Sequence, residues 1–443
     1  MKITLFHRLP EVIFWGNFPE EINGFWNDTR TIQAGDCFLA LADRRDGHEF
    51  LSDAQQKGAH CALVRRIDKN LSLPQLGVPD VFEAAKKIAK LHRKNYTTIA
   101  ITGSYGKTST KDMLKLLLGE KAYATADNLN NELGVTLSLS RINGEQFAII
   151  EGGINHPGEM DRIDHLIEPN ISLTTGITFT HVSNFQNFEQ LVNEKCKILQ
   201  NTLARNGMGI IPESCLKYMP FQELAPRCTV IGRGKNLKRF KSFTRFHLEG
   251  EHRIVLEGRY FKKASFGLPE MSLGQVENFA NGATVAKILG FSDGIIRERI
   301  LQWKPGKMRG EIFDFNGHAV YLDSYNANPV AMKNALIHFD KKYTGNNTYV
   351  LGGMRELGEF SENCHRRLAE YFLEKERGLI IAVGAEMKVF CKILRAKNRK
   401  LNVSLFEDVQ TAREFFHKRY RGKIFIKGSQ FYRLWEILEE LEE

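Results

Sequence analysis

Along most of the chain, short runs of consecutive apolar residues alternate with stretches in which apolar positions return every three or four residues. The first pattern predicts strands buried on both faces, and the second predicts amphipathic helices. Residues 81–91 (VFEAAKKIAKL), 111–118 and 295–303 read as helices, whereas 98–101, 147–150 and 171–175 read as buried strands. Farther on, Asn316-Gly317 marks a hairpin, and 319–322, 348–351, 378–383 and 423–426 read as strands of an open parallel sheet with helices between them. The chain is predicted to close on an acidic helix, 431–443. Such alternation defines an α/β protein. The polar stretch at His92 to Asn95 and the Lys304-Pro305-Gly306-Lys307 segment interrupt the pattern. They divide the 443 residues into 1–95, 96–305 and 306–443, in keeping with roughly 150 residues per domain.

No run approaches the roughly 18 apolar residues of a membrane span, so no membrane span is expected. Residues 1–10 show neither the apolar core nor the small-residue cleavage site of a secretory signal, which predicts a cytoplasmic protein. The seven cysteines show no C-x-x-C spacing, so they are expected to be buried thiols rather than zinc ligands or disulfides. A net charge of +10 suits anionic partners without choosing among them. Its densest segment, 235–245 (KNLKRFKSFTR), is expected to be a solvated hairpin edge held off aggregation by lysines, so no nucleic-acid partner is expected.

The chemistry concentrates after the strand at 98–101. Gly103, Ser104, Gly106, Lys107, Thr108 and Ser109 form a glycine loop that opens a helix, where free N–H groups and the positive dipole end favour phosphate. Lys107 would neutralise phosphate charge and the Thr108 hydroxyl would ligate magnesium. The match to G-x-x-x-x-G-K-[ST] is incomplete, because Ile101 stands at its first glycine. Glu151 and His181 each follow a predicted strand, at the sheet edge where α/β proteins place ligands. Two amide-rich clusters, 127–134 and 323–329, combine ligand-binding potential with the chemistry of turns and helix caps.

Taken in order, these segments resemble the Mur ligases, ATP-dependent amide ligases of peptidoglycan assembly. The likeness rests on Asp46-Gly47-His48, the central loop, Asn130-Asn131-Glu132, Glu151-Gly152-Gly153, His181, Tyr325-Asn326-Ala327-Asn328-Pro329, 351–358 with His365, and Lys427-Gly428-Ser429. The resemblance implies three α/β domains: a UDP-substrate domain, a central P-loop ATPase domain and a C-terminal Rossmann-like domain. It implies ligation of D-alanyl-D-alanine to a UDP-linked muramoyl tripeptide through an acyl phosphate, with ATP and Mg2+, by a monomer. Under it Lys107, Glu151, His181 and Lys195 carry catalysis, and Thr108, Glu151, His181 and a carbamylated Lys195 hold metal. Asn281, Arg309, Asp323, Asn326 and Asn328 join the loop in binding nucleotide, and Thr29, Arg30, Asp46, Gly47, His48, Asn130 and Asn131 bind the substrate. Asp43-Arg44-Arg45, Lys197, Glu277-Asn278, Gly353 and Gln430 depart from the family pattern. They leave open a related ligase with another carboxylate and amine; a non-catalytic nucleotide-binding protein is the more distant alternative.

Overall fold

The computed structural model describes residues 1–93 and 96–440, which form three sheets and the helices that cover them. In the first sheet, Gln75–Gly77, Cys61–Val64, Cys37–Leu39 and Phe25–Trp26 run parallel, and Ile13–Trp15 adds an antiparallel edge. The middle sheet has nine strands, in the order Ala122–Ala124, Phe147–Glu151, Thr97–Thr102, Ile171–Thr174, Met208–Pro212, Cys228–Gly232, Ser242–Leu248, Arg253–Gly258 and Ala264–Gly267. All are parallel up to Ser242–Leu248, and the last two close it as an antiparallel meander. The third sheet runs Glu311–Phe315, His318–Leu322, Ile424–Lys427, Thr348–Gly352, Gly378–Val383, Leu401–Phe406, parallel except for its first strand.

The sequence pattern explains these elements. Gly378–Val383 is apolar and buried throughout, and Thr97–Thr102 is buried at every position but its first, because both faces of a parallel sheet are covered. Helix Val81–His92 buries Val81, Ala84, Ala85, Ile88, Ala89 and His92, one stripe at helical period, and Asp80 caps its first turn. Asn316 and Gly317 turn the third sheet's hairpin with both residues at positive φ. The first sheet is held to the middle one through helix Glu132–Ser140: Leu137 enters the first sheet's core, and the adjoining Arg141 pairs with fully buried Asp36 at 2.6 Å.

Two expectations fail here. Residues 235–245 are no hairpin edge. Lys235–Arg239 is a 3-10 turn that buries Leu237, and Ser242–Leu248 is an interior strand whose Arg245 pairs with Glu257 at 2.6 Å. The closing helix is instead two short 3-10 stretches, Gln430–Tyr432 and Leu434–Leu438, separated by Arg433 at φ +48°; residues 441–443 of the prediction lie outside the described residues. Three-residue periodicity puts Leu434 and Ile437 on one edge, and both are buried against the third sheet's core. Of the predicted first boundary, Lys94 and Asn95 lie outside the described residues; Arg93 is anchored on the carbonyls of Ile167 and Glu168. All seven cysteines are buried thiols, and among the described residues no helix is long and apolar enough to cross a membrane.

Candidate active site

Parallel strands all end at the same edge, so the C-terminal edges of the middle and third sheets face one cleft of about 580 Å³. Its floor is the segment between strand Thr97–Thr102 and helix Lys107–Leu118. Gly103 and Gly106 take φ of +144° and +76°; a Cβ on Gly103 would lie 2.2 Å from Thr175 Oγ1, and one on Gly106 2.9 Å from Asn278 Oδ1. Only glycine lets the loop fold this tightly beneath its neighbours. The Ser104 N–H donates to the Gly176 carbonyl at 2.6 Å, and the Ser104 hydroxyl to the Thr178 carbonyl at 3.0 Å, which leaves the following helix N-terminus open to the cleft. Lys107 Nζ donates to the Gly103 carbonyl at 3.0 Å; burial is the main cause that lowers its pKa, opposed by nearby Glu151.

Glu151 ends strand Phe147–Glu151, paired in register with Ile101 just before the loop. It is buried. Its Oε1 accepts from Asn130 Nδ2 at 2.8 Å, while Oε2 has no hydrogen-bond partner among the described residues. A buried carboxylate oxygen left bare beside a phosphate-type loop is a ligand that a hard divalent cation satisfies. Among the described residues no group of three or more His, Cys, Asp or Glu is gathered into a metal cage. Magnesium takes one or two carboxylates and completes its shell with phosphate and water, so Glu151 is a carboxylate that could serve it. Lys195, on helix Phe188–Ala204, does not line the cleft; it lies fully buried behind the loop, where desolvation, and next Lys107, draw its pKa down to about 7.

The third sheet supplies the opposite wall. Asp323 follows strand His318–Leu322 and receives Lys427 Nζ at 2.6 Å; burial raises its pKa against that cation. Asn326 Oδ1 accepts from the Ala327 N–H at 2.7 Å, and Asn328 caps helix Pro329–Lys342. Arg309 stacks on Tyr325, its guanidinium carbon 3.8 Å from the ring centroid. Across the cleft His181 Nδ1 meets Glu356 Oε2 at 2.5 Å, and Phe360 stacks on Phe179 at 4.3 Å between centroids, so the middle and third sheets touch at this end.

The cleft thus gathers Ser104, Gly106, Lys107, Thr108, Ser109, Asn130, Glu151, His181, Arg309, Asp323, Asn326 and Asn328. Asn281 does not line it: helix Leu273–Ile288 runs from the cleft into the core, and Glu277 and Asn278, one turn earlier, face the cleft instead. Asn131 accepts from the Gly134 N–H as a helix cap. Thr29, Arg30, Asp46, Gly47 and His48 stay with the first sheet. There Arg30 pairs with Asp28 at 2.6 Å, and the Thr29 carbonyl accepts from Lys57. His48 Nε2 accepts the N–H groups of Arg65 and Arg66, which leaves its Nδ1–H to donate to Asp46 at 2.6 Å. Arg355 and Glu356, quoted for the family likeness within 351–358 but given no role, also line the cleft, as do Gln275 and Phe431, which sequence reasoning did not single out as site residues. The strand-end rule marks Arg355 and Glu356, which closely follow Thr348–Gly352; nothing in the local sequence marks Gln275 or Phe431. Gly353, where the family pattern has an aspartate, lies against Glu386: a Cβ there would sit 3.0 Å from Glu386 Oε2.

A phosphate loop at one sheet's edge, faced by the edge of a second sheet, defines a nucleotide-binding α/β protein whose reacting groups meet between domains. The Mur ligase middle domain matches residues 101–279, and the Mur ligase glutamate ligase domain matches residues 308–429. Relatives from several bacteria carry the name UDP-N-acetylmuramoyl-tripeptide–D-alanyl-D-alanine ligase. That of Rickettsia prowazekii is 30% identical over 93% of either chain, and that of Borreliella burgdorferi 26% identical over 97% of this chain and 96% of its own. A crystal structure of MurF from Acinetobacter baumannii superposes with a TM-score of 0.80 at 25% identity, covering 99% of both chains. The chain belongs to the Mur ligase family.

Proposed function

We propose that this chain joins the amine of D-alanyl-D-alanine to the terminal carboxylate of UDP-N-acetylmuramoyl-tripeptide, at the expense of ATP and with Mg2+. The observation that carries this reading is the bare Glu151 oxygen beside Lys107 and the open helix N-terminus, in a cleft that the third sheet completes. The likeness to D-alanyl-D-alanine ligases over more than nine-tenths of the chain supports the choice of substrates.

In this reading residues 1–95 hold the UDP end of the substrate, 96–305 bind nucleotide, and 306–443 bring up the second substrate. Thr29, Arg30, Asp46, Gly47 and His48 serve the first task, together with Asn130 and Asn131 at the start of helix Glu132–Ser140. Gly103 to Ser109 cradle the phosphates through backbone N–H groups, and Lys107 meets the charge that develops on the transferring phosphoryl group. Arg309, Asp323, Asn326 and Asn328 close over the nucleotide from the third sheet. Thr108 and Glu151 would hold magnesium, with His181 once it leaves Glu356; bound magnesium supplies positive charge to the phosphate oxygens. A carbamate on Lys195, formed when its neutral amine adds carbon dioxide and gives up a proton, would add an anionic ligand. The substrate carboxylate attacks the γ-phosphorus and ADP leaves, giving the acyl phosphate. The acceptor amine then attacks its carbonyl carbon, and phosphate departs from the tetrahedral intermediate as the amide forms. The chain acts in this account as a cytoplasmic monomer on small-molecule substrates.

The test is magnesium-dependent phosphate release from ATP, with UDP-N-acetylmuramoyl-tripeptide and D-alanyl-D-alanine supplied singly and together. Release that needs both, with pentapeptide product, is expected; release indifferent to the pairing, or none, overturns the assignment of substrates.

A further inference from the structure

Glu151 is held at two points, and both belong to the segment that follows strand Ala122–Ala124. Its N–H donates to Thr125 Oγ1 at 3.1 Å, and its Oε1 accepts from Asn130 Nδ2 at 2.8 Å. Residues 125–131 have no helix or strand of their own, and Asp127 among them takes φ of +43°. Lys111 ties this segment to the helix of the phosphate loop. Its Nζ donates to the carbonyls of Thr125 at 2.7 Å and Asp127 at 3.0 Å, and lies 3.4 Å from Asp112 Oδ1. We propose that Lys111 is a positioning residue: it fixes Glu151 relative to the phosphate loop, and through that carboxylate it sets the affinity for magnesium. The proposal rests on the reading of Glu151 as a magnesium ligand.

Packing alone does not call for a lysine at this place. Lys111 is 2% exposed, and taking an ammonium out of water is costly unless its hydrogen bonds are made. Its helix, Lys107–Leu118, is already fastened by Met113, Leu114, Leu117 and Leu118, which share one apolar core with Ala122. An apolar side chain at 111 would add to that packing without the cost. What it could not supply is donors for two inward-facing carbonyls. An ammonium offers three N–H groups, enough for both carbonyls and Asp112.

Position agrees as well. Lys111 lies one turn after Lys107 on the same side of the helix, so the element that presents free N–H groups to phosphate also carries the tie to the carboxylate's support. The tie reaches Glu151 by two routes. Through Thr125 it reaches the backbone N–H, and through Asp127, three residues before Asn130, it reaches the side chain. Without it, the placement of Glu151 against the loop would rest on the strand pairing with Ile101.

The experiment titrates magnesium in two ways on wild-type, Lys111→Met, Asn130→Ala and doubly substituted proteins, with the Tm of each. One reads calorimetric binding of β,γ-methylene-ATP, which involves no turnover; the other reads phosphate release with both substrates present. Methionine keeps the length of the lysine stem and has no donor. Lys111→Met should raise the magnesium concentration at half-effect by about 10- to 100-fold in both titrations, the range for groups that orient a metal ligand. Binding of the analogue without magnesium, and the KM for D-alanyl-D-alanine, should stay unchanged. Asn130→Ala should act in the same direction, and the double variant should be no worse than the poorer single one, because both act through Glu151. If Lys111→Met does not fold, Lys111→Gln, which keeps an amide donor, should show a smaller rise of the same kind. A folded Lys111 variant with ordinary magnesium titrations, or a double variant in which the two effects multiply, overturns this proposal alone. Wild-type titrations indifferent to magnesium, or ordinary ones in Glu151→Gln, overturn the underlying reading and this proposal with it.

Discussion

Glu151→Gln separates a functional carboxylate from a structural one, because the two roles predict opposite signs for stability. In the native chain Oε2 of Glu151 is buried without a partner, and such a group costs about 1–3 kcal/mol, more when charged. Glutamine keeps the shape and the acceptor for Asn130 Nδ2, and exchanges a bare charged oxygen for a neutral amide. The amide is itself unpaired, so only part of the cost is relieved, and the ligand-free variant should equal or exceed wild-type stability by about 1 kcal/mol. For a domain of 150–250 residues that is about 2–4 °C in Tm. Over the same substitution the cation loses its one anionic ligand in the cleft floor. The magnesium concentration needed for half-maximal phosphate release should rise by about 100-fold or more, beyond the effect of removing an outer partner of a metal ligand. Thermal unfolding without ligands and phosphate release against magnesium concentration read the two effects independently. A variant that loses more than about 1 kcal/mol, with activity falling only as the folded fraction falls, would refute the reasoning. So would a stable variant with an ordinary magnesium titration.

Lys107→Ala should lower kcat by about 100- to 1000-fold at unchanged Tm, since Nζ makes one loop hydrogen bond and otherwise serves charge; near-normal turnover would remove the phosphate-loop assignment. Lys195→Ala should recover activity when short carboxylates are supplied, and no recovery would leave a buried amine without a catalytic part. With its pKa drawn from 10.5 to about 7, Lys195 binds fewer protons in the folded chain than in the unfolded one between those values. Wild-type stability should therefore rise with pH across that window, and Lys195→Met, measured free of carbon dioxide, should flatten the rise; parallel profiles for the two proteins would contradict it. Arg141→Ala strands fully buried Asp36 and should cost about 3–5 kcal/mol in denaturant unfolding, where a loss below 1 kcal/mol would show that the pair does not tie the first sheet to the middle one.

What the sequence by itself determined is whatever short-range chemistry decides. The strand, glycine loop and helix at 97–118 were legible because apolar runs, positive-φ glycines and helix N-termini are local features, and so were the hairpin at Asn316-Gly317 and the placement of Glu151 at a strand end. The same local rules misjudged 431–443, where burial of Leu434 and Ile437 against a sheet formed by distant residues outweighed helical periodicity. They misjudged 235–245 too, because no local signal says which strand lies at a sheet's edge. Only the tertiary structure decided that Asn281 turns into the core while Glu277 and Asn278 meet the cleft, and that Lys195 is buried deeply enough to lose much of its basicity. It alone brought Glu356 to His181, and Arg355 to Glu386 and the Phe431 ring. Those facts depend on how three sheets close on one another, and burial and charge pairing between residues more than a hundred positions apart are properties of that closure.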